Sequence, residues 1–354
     1  MVRLSDALYI NGRFAAQGMT GVQRFATEMT RALLQVYPGQ LNILTPPGAS
    51  EIFDCSRAVG TRKGHFWEQI ELPRYTNDGI LINLGNTAPI FARRQIVVIH
   101  DAGVFRTPGA YSKRFRLWYK LLQKSLARGQ SRIVTVSDFS RSELVEKLNL
   151  PEKRISVVPE GTDHMNRISF DYATLSRHGL KSGNFVLAVG TLARHKNLGA
   201  LNILAQNLAD RGAVLAVTGA FGADAFSTQS PTRLPERARY LGRVSDEDLK
   251  ALYSNAACFI FPSHYEGFGL PAVEAMACGC AVVAANIPSL RETCADAAIY
   301  CDPNSPHDIA QSVINLLDNA PLLQEYRRRA IAHVTSMTWE RAAMQFAKVI
   351  DQII

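Results

Sequence analysis

Short apolar runs recur along this chain, separated by longer stretches in which apolar residues return every three or four positions. The short runs predict buried strands, and the longer stretches predict helices with one packed face. Strands that alternate with helices are typical of parallel sheets. The pattern therefore predicts an α/β fold, and its two series of alternation predict two Rossmann-like, doubly wound domains.

The first series occupies a domain predicted at residues 1–165. Its strands are predicted at 8–10, 41–44, 80–84, 96–100 and 133–136. Helices are predicted at 22–36 and 111–128 from the spacing of their apolar residues. Ser140 and Glu143 have the spacing of a capping box, so a further helix is expected to begin at Ser140.

The second series fills a domain predicted at residues 166–337, after a linker near 160–172. Its strands are predicted at 186–190, 213–218, 238–241, 258–262, 281–284 and 298–300. Helices are predicted at 306–318 and 321–333, and a last helix is predicted at 339–354, after the end of the domain. Ligands of open parallel sheets bind at the carboxyl ends of the strands. A cleft between two facing sheet edges is therefore the expected site.

The amino-acid composition indicates what class of protein this is and in which compartment we expect it. The 354 residues are 47% hydrophobic, enough to bury the cores of two domains. No apolar stretch reaches the roughly 18 residues of a membrane span, and the N-terminus lacks a signal-peptide pattern. The six cysteines show no CxxC spacing, so we expect free thiols in a reducing cytoplasm. Cys278 and Cys280 have no second pair or histidine near them, so no metal site is expected.

The formal net charge is +8, and the whole excess lies in residues 1–165. A basic half indicates an acidic partner, either anionic lipid or nucleic acid, although a soluble domain can also simply be basic. Along the helix at 111–128, one side is cationic: Lys113, Arg116, Lys120 and Lys124. This side fits an anionic membrane surface or an ordinary solvated face equally well. No base-stacking or groove-entry motif is present, so no nucleic-acid partner is expected.

Two glutamates, Glu266 and Glu274, flank a glycine-containing loop that leads from a predicted strand into a helix. Pro271 fits the first turn of that helix. Gly267 and Gly269 allow close approach of the backbone, and the N–H groups at a helix start favour phosphate oxygens. The two carboxylates can accept hydrogen bonds from sugar and ribose hydroxyls. The loop is interpreted as a nucleotide-sugar site; a tight turn with two solvated acids is the alternative.

A second loop carries the cations that such a ligand requires. The predicted strand at 186–190 leads into Arg194 and Lys196. Arginine offers a planar fork and lysine a mobile point charge, so the two suit a diphosphate. His195 lies between them, and its side chain is expected to point the other way.

These segments resemble the retaining glycosyltransferases of family 4, which have the two-domain GT-B fold. The resemblance rests on the E-x7-E pattern at 266–274, the strand–Gly–Arg-x-Lys loop at 186–196, and the stretches 240–245 and 282–292. It covers essentially the whole chain. It implies an N-terminal acceptor-binding domain, a C-terminal nucleotide-sugar-binding domain facing it across a central cleft, and a helix at 338–354 that crosses back to the N-terminal domain.

The resemblance also implies roles for single residues. His100 would lie near the reacting sugar and bond its 6-hydroxyl, while Asp101 would orient it, bind the acceptor or cap a turn. Glu266 would hold sugar hydroxyls and Glu274 ribose hydroxyls. The implied catalytic residues are His100, Arg194, Lys196 and Glu266. The implied donor-binding residues are Gly21, Arg194, Lys196, Arg243, Val244, Glu266, Gly267, Phe268, Gly269, Leu270 and Glu274. The family generally needs no divalent metal, so none is expected, and no cofactor besides the donor.

The stretch around His65, Trp67 and Glu68, together with residues 98–102, is similar to bacterial mannosyltransferases of exopolysaccharide and O-antigen assembly. This implies transfer of mannose from GDP-mannose to a lipid-linked or oligosaccharide acceptor, with peripheral contact at the inner face of the cell membrane. A UDP-hexose is the alternative donor. The sequence also permits a GT-B-fold epimerase that acts on UDP-N-acetylglucosamine without an acceptor, or a non-catalytic binding partner. The role of Glu68 stays open.

Overall fold

The structure, a computed structural model, describes residues 7–49, 52–219 and 234–353. Contacts divide the chain into two units. The first comprises Met1–Phe105, Leu117–Gly161 and Thr338–Ile354, and the second comprises Arg106–Arg116 and Thr162–Met337.

Each unit is built on one sheet. In the first unit the strands are β1 (Ala7–Asn11), β2 (Leu41–Thr45), β3 (Ser56–Ala58), β4 (Gly79–Asn83), β5 (Gln95–Val98), β6 (Arg132–Thr135) and β7 (Ile155–Val157). In the second they are β8 (Phe185–Val189), β9 (Val214–Thr218), β10 (Ala238–Gly242), β11 (Cys258–Phe261), β12 (Val282–Ala285) and β13 (Ala298–Cys301). The orders are β3-β2-β1-β4-β5-β6-β7 and β10-β9-β8-β11-β12-β13, and strand pairs such as β1–β4 and β8–β11 are parallel.

Most helices lie between successive strands, and the last three follow the final strand. In the first half of the chain they are α1 (Gly21–Val36), α2 (Gly64–Phe66), α3 (Gly103–Arg106), α4 (Lys113–Arg128) and α5 (Asp138–Leu148). In the second half they are α6 (His164–Arg167), α7 (Thr174–Arg177), α8 (Asn202–Asp210), α9 (Asp246–Asn255), α10 (Leu270–Ala277), α11 (Pro288–Cys294), α12 (Pro306–Leu317), α13 (Ala320–Val334) and α14 (Trp339–Asp351).

Consecutive residues of the central strands are buried, as expected where helices cover a parallel sheet on both faces. All five residues of β4 are buried, and so are Phe185 to Ala188 of β8. The predicted α/β class is therefore confirmed. The sequence prediction missed β3 and β7, which are three-residue strands at opposite edges of the first sheet. Edge strands are buried less completely, and so they leave no long apolar run.

The predicted start of α5 is wrong. The helix begins at Asp138, and the side chain of Ser137 accepts a hydrogen bond from the Ser140 amide. Ser137 is therefore the N-cap and Ser140 lies within the first turn, because a capping hydroxyl accepts from the second or third helical amide.

The unit boundaries differ in two places from the predicted residues 1–165 and 166–337. The main segment of the second unit begins at Thr162, whose amide donates to the Met337 carbonyl at 2.8 Å. The stretch Arg106–Arg116 groups with the second unit rather than the first. Within that unit, Gly109 lies against the side chain of Arg194. The two residues are far apart in the sequence, so no local pattern predicts this contact.

The last helix, α14, belongs to the first unit and packs on α1. Thr338 caps it by accepting from the Arg341 amide. The Trp339 and Phe25 rings lie edge to face with centroids 5.7 Å apart, and Phe346 is fully buried. A Cβ added to Gly161 would overlap the Trp339 backbone, so the chain passes this helix closely.

Two further features concern membrane spans and cysteines. No helix in the described part of the chain is both long and apolar enough to cross a bilayer. All six cysteines have free thiols, and four of them are buried. Burial raises the pKa of the Cys258 thiol to about 12, which keeps it protonated and unreactive.

Candidate active site

The loop between β11 and α10 depends on glycine. Gly269 precedes the first residue of α10 and has a φ of +95°. A Cβ at this position would also overlap the Leu290 side chain, so conformation and space both require glycine. Pro271 occupies the first turn, as predicted. The loop residues Gly267, Phe268, Gly269 and Leu270 are all buried. The amides of the first helical turn have no partner within the helix, an arrangement that favours anions.

Lys196 and Glu266 form an ion pair in this second unit. The Lys196 ammonium donates to both carboxylate oxygens of Glu266, at 2.7 and 3.0 Å, and lies 5.5 Å from the centroid of the Phe261 ring. The Lys196 side chain is 19% exposed and that of Glu266 11%. Since solvent screens a half-buried pair only partly, the two groups fix each other in position.

Arg194 is exposed and lines an open cavity of about 460 Å³. The other lining residues belong to the same unit: Thr107, Gly109, Ala110, His195, Asn197 and His264. His195 is among the residues that line this cavity, and the expectation that its side chain points away from Arg194 stays a prediction. Burial, followed by the charge of Lys196, lowers the pKa of His195 to about 4. A neutral imidazole next to Arg194 adds no repulsion to the cationic site.

Glu274 lies in the second turn of α10 and is only 7% exposed. His164 Nε2 lies 2.9 Å from one carboxylate oxygen, and the Tyr253 hydroxyl donates to the other at 3.4 Å. Both partners are buried. Burial, followed by the charge of Glu274, raises the pKa of Tyr253 well above its ordinary value, so the phenol stays protonated and donates.

Arg243 and Val244 follow β10, an edge strand of the second sheet. Arg243 is exposed and Val244 half-buried. Gly242 ends the strand with a φ of +73°, which turns the chain at this point. Because all strands of the sheet are parallel, the residues that follow β8, β10 and β11 lie at the same edge. The structure therefore brings the predicted cationic loop, the glutamate loop and Arg243 to one side of the second unit.

His100 follows β5 in the first unit and is 5% exposed. Its Nε2 lies 3.1 Å from the Leu84 carbonyl oxygen, and its Nδ1 lies 3.6 Å from a carboxylate oxygen of Glu160. Asp101 accepts from the Gly103 amide at 2.6 Å, so it caps the following turn. The carboxylate next to the histidine is that of Glu160, which the sequence did not indicate.

Gly21 begins α1 in the first unit and is exposed. A side chain at this position would meet no protein atom within 4 Å. Packing therefore does not explain this glycine, and its predicted contact with a donor phosphate stays a prediction.

Glu68 lies in a buried polar cluster of the first unit. One of its carboxylate oxygens accepts from Asn11 and Thr87, and the other accepts from Arg13 at 3.2 Å, with His65 nearby at 3.5 Å. Burial raises the pKa of Glu68, but the hydrogen bond from His65 and the charge of Arg13 outweigh it and hold the pKa below its ordinary value. Glu68 thus joins the end of β1 to the loop that follows β4.

Comparison with known proteins identifies the family. The model of glycosyl transferases group 1 matches residues 176–333, and that of glycosyltransferase family 4 matches residues 83–165. The O-antigen chain mannosyltransferase B of Escherichia coli is 33% identical over 262 residues, which cover 71% of this chain and 68% of that protein. This chain belongs to the family 4 (group 1) glycosyltransferases. The O-antigen chain mannosyltransferase RfbU of Salmonella typhimurium is 26% identical, over 69% of this chain and 67% of its own length.

Solved structures share the fold of this chain. The glycosyltransferase matches HepE of Anabaena, solved in complex with UDP and glucose, with a TM-score of 0.75. The match covers 98% of this chain and 99% of HepE at 15% identity. At this identity the likeness shows the fold alone, and it confirms the predicted GT-B class.

Several partners in this glycosyltransferase escaped sequence reasoning. His164 is 110 positions from Glu274, and Glu160 is 60 from His100, so no local spacing connects them. Asp246 and Asp248 have the Asp-x-Asp spacing associated with metal sites, but they lie in the first turn of α9, where Asp248 accepts from Thr174 and pairs with Arg177. Among the described residues, no group of three or more metal-ligating side chains is assembled.

Proposed function

We propose that this glycosyltransferase moves mannose from GDP-mannose, with retention at the anomeric carbon, to a lipid-linked or oligosaccharide acceptor in bacterial exopolysaccharide or lipopolysaccharide synthesis. The observation that carries the proposal is the 33% identity with the O-antigen chain mannosyltransferase B of Escherichia coli. A second O-antigen mannosyltransferase, RfbU, supports the same donor sugar.

The cations of the second unit suit the departing diphosphate. Arg194 is exposed on an open cavity, and Lys196, two residues farther along the same loop, is held by Glu266. As the bond to the sugar breaks, negative charge develops on the phosphate oxygens, and groups already in place stabilise it without reorganising. The amides at the start of α10 act on the same charge. These groups supply the stabilisation for which other enzymes use a divalent metal, so we expect none.

Glu266 and Glu274 would hold hydroxyls of the donor sugar and of the ribose. Each carboxylate can accept about four hydrogen bonds, and the protein uses only part of this capacity. We assign no side-chain nucleophile; the acceptor hydroxyl attacks from the face of the leaving group and passes its proton to the phosphate. His100 would contact the sugar 6-hydroxyl, for which one of its contacts to Leu84 or Glu160 must be exchanged.

A UDP-hexose is the alternative donor, because HepE of the same fold was solved with UDP and glucose. An epimerase that needs no acceptor is less well supported, because the relative that shows the family is a transferase.

Nucleotide binding and transfer test the proposal. Calorimetric titration with GDP, UDP, ADP and dTDP should give heat with GDP alone, and GDP-mannose should be hydrolysed slowly and used faster when an oligosaccharide acceptor is added. Activity should persist in EDTA. Selective binding of UDP would indicate that the donor is a UDP-hexose and not GDP-mannose. A new sugar nucleotide formed from the donor alone would indicate an epimerase. No binding of any nucleotide would contradict the proposal.

We further propose peripheral contact of the first unit with an anionic membrane. Leu117, Leu121, Lys124 and Arg128 are exposed and stand three or four residues apart, so they share one face of α4. Phe66 is 67% exposed, and the neighbouring His65 ring stacks edge to face on Trp118 of α4. Exposed apolar side chains beside cations are typical of interfacial helices. Of the other predicted cations, Lys120 is half-buried against the Phe105 ring, while Lys113 and Arg116 group with the second unit.

Vesicle sedimentation tests this contact. The protein should bind phosphatidylglycerol vesicles, less so at high salt, and not vesicles of phosphatidylcholine. Leu121→Glu should reduce binding at least severalfold. Met344→Glu is a matched control, because Met344 is 49% exposed on another helix of the same unit. Equal loss in both variants, or equal binding to both vesicles, would contradict the proposal.

A further inference from the structure

We infer that His164 is a positioning residue for the nucleotide end of the donor site, acting through the Glu274 carboxylate. The inference rests on the proposed function, because it takes Glu274 as the group that receives the ribose hydroxyls. Its basis is the 2.9 Å contact between His164 Nε2 and Glu274, in which the His164 side chain is 2% exposed and that of Glu274 9%.

The direction of the Glu274 side chain explains why it needs support. Helical side chains lean towards the helix N-terminus, so we expect the carboxylate of Glu274 to be directed towards the first turn of α10, where the anion-binding amides are. Tyr253 holds its other oxygen from α9 at 3.4 Å. Two donors on the protein side leave the remaining lone pairs of the carboxylate for hydroxyl donors of a ligand. The imidazole must carry its proton on Nε2 to donate here.

His164 is itself fixed on both sides. It begins the short helix α6, and α6 packs against α10. Two residues before His164, the amide of Thr162 donates to the Met337 carbonyl at 2.8 Å. After the helix, the Ile168 carbonyl accepts from Lys250 of α9 at 2.7 Å. An anchored imidazole can therefore hold Glu274 in one rotamer, so the carboxylate reaches a ligand without first losing conformational freedom.

Loss of the His164 contact should affect donor binding and turnover differently. Glu274 does not touch the bond that breaks, so loss of its orientation should weaken the donor in the ground state and in the transition state alike. A hydrogen bond to a carboxylate is worth about 10- to 100-fold in binding. KM for the donor and Kd for GDP should therefore rise, while kcat changes little.

The test uses His164→Asn, whose amide is too short to reach Glu274, and His164→Gln, whose amide extends about as far as Nε2. Asn should raise the Kd of GDP, and of UDP if that is the nucleotide bound, about 10- to 100-fold. Gln should restore most of the affinity. The control is His307→Asn, since His307 is exposed in the same unit. A structural role would lower thermal stability without separating Asn from Gln in affinity.

A double-mutant cycle keeps the inference falsifiable even if one variant is unstable. In a Glu274→Ala background, His164→Asn should cause little further loss, because Glu274→Ala has already removed the acceptor of this hydrogen bond. Unchanged GDP affinity in folded His164→Asn, a fall in kcat without a rise in KM, or full additivity in the cycle would overturn the inference. Failure of the wild-type protein to bind any nucleoside diphosphate would instead contradict the proposed function.

Discussion

At the scale of single residues, the ion pair between Lys196 and Glu266 holds a positive charge in a fixed position. Both carboxylate oxygens contact the ammonium, so a flexible lysine is confined to one place. The carboxylate reduces the local positive charge but keeps the lysine ordered. A cation that is already in place costs no reorganisation when negative charge develops beside it.

Lys196→Ala should mainly lower turnover. Loss of one such group costs on the order of 10²–10³ in kcat, with a smaller change in KM. The matched control is Lys181→Ala, an exposed lysine of the same unit, which should keep wild-type kinetics. Steady-state kinetics with saturating acceptor measure both. Wild-type turnover in Lys196→Ala would remove this residue from the proposed machinery.

Sequence reasoning identified the loops of the candidate site but not the partners of their side chains. Arg194, Lys196 and Glu266 each follow a buried strand, and an apolar run shows where such a strand ends. His164 meets Glu274 only because the fold joins segments that are far apart in the chain.

At the scale of elements, α10 owes its starting point to Gly269. Gly269→Ala should destabilise the second unit, because the new methyl group meets Leu290 at a φ of +95°. Left-handed strain of about 1–2 kcal/mol adds to about 1–3 kcal/mol for overpacking. It should also weaken GDP binding by displacing the first turn.

Gly212→Ala distinguishes the cost of backbone strain from the cost of contact with Leu290. Gly212 has a similar φ of +69° but open space around it, so only the strain applies. Denaturant unfolding of both variants measures the difference. Equal destabilisation by the two substitutions would show that contact with Leu290 contributes nothing.

The elements themselves were predictable where burial leaves a periodic pattern. Strands β4, β8 and β11 appear in the sequence as apolar runs because helices cover them. The start of α5 was misplaced because Ser137 and Ser140 are both capable caps, and only the backbone decides between them. Ser137 has extended φ and ψ, and its hydroxyl accepts from the amide of Ser140.

At the scale of the whole molecule, α14 completes a unit that began more than 300 positions earlier. Trp339→Ala should lower the unfolding transition of the first unit, since loss of a buried tryptophan costs about 3–5 kcal/mol. Trp339 is 2% exposed, whereas Met344 on the same helix is 49% exposed, so Met344→Ala should be nearly neutral.

Calorimetry can assign the effect of Trp339→Ala to one unit, because two units need not unfold in a single transition. GDP should shift the transition of the second unit only. A loss of stability that appears in the GDP-sensitive transition instead would contradict the expectation.

The path of the chain through its two units also orders events during synthesis. The strands of the first sheet leave the ribosome early, but the helix that covers Phe25 is translated only after the whole second unit. At about 5–20 residues per second, that delay is on the order of ten seconds. We therefore expect the nascent chain to complete the later unit first and to expose the apolar face of α1 meanwhile, which is the kind of surface that chaperones bind.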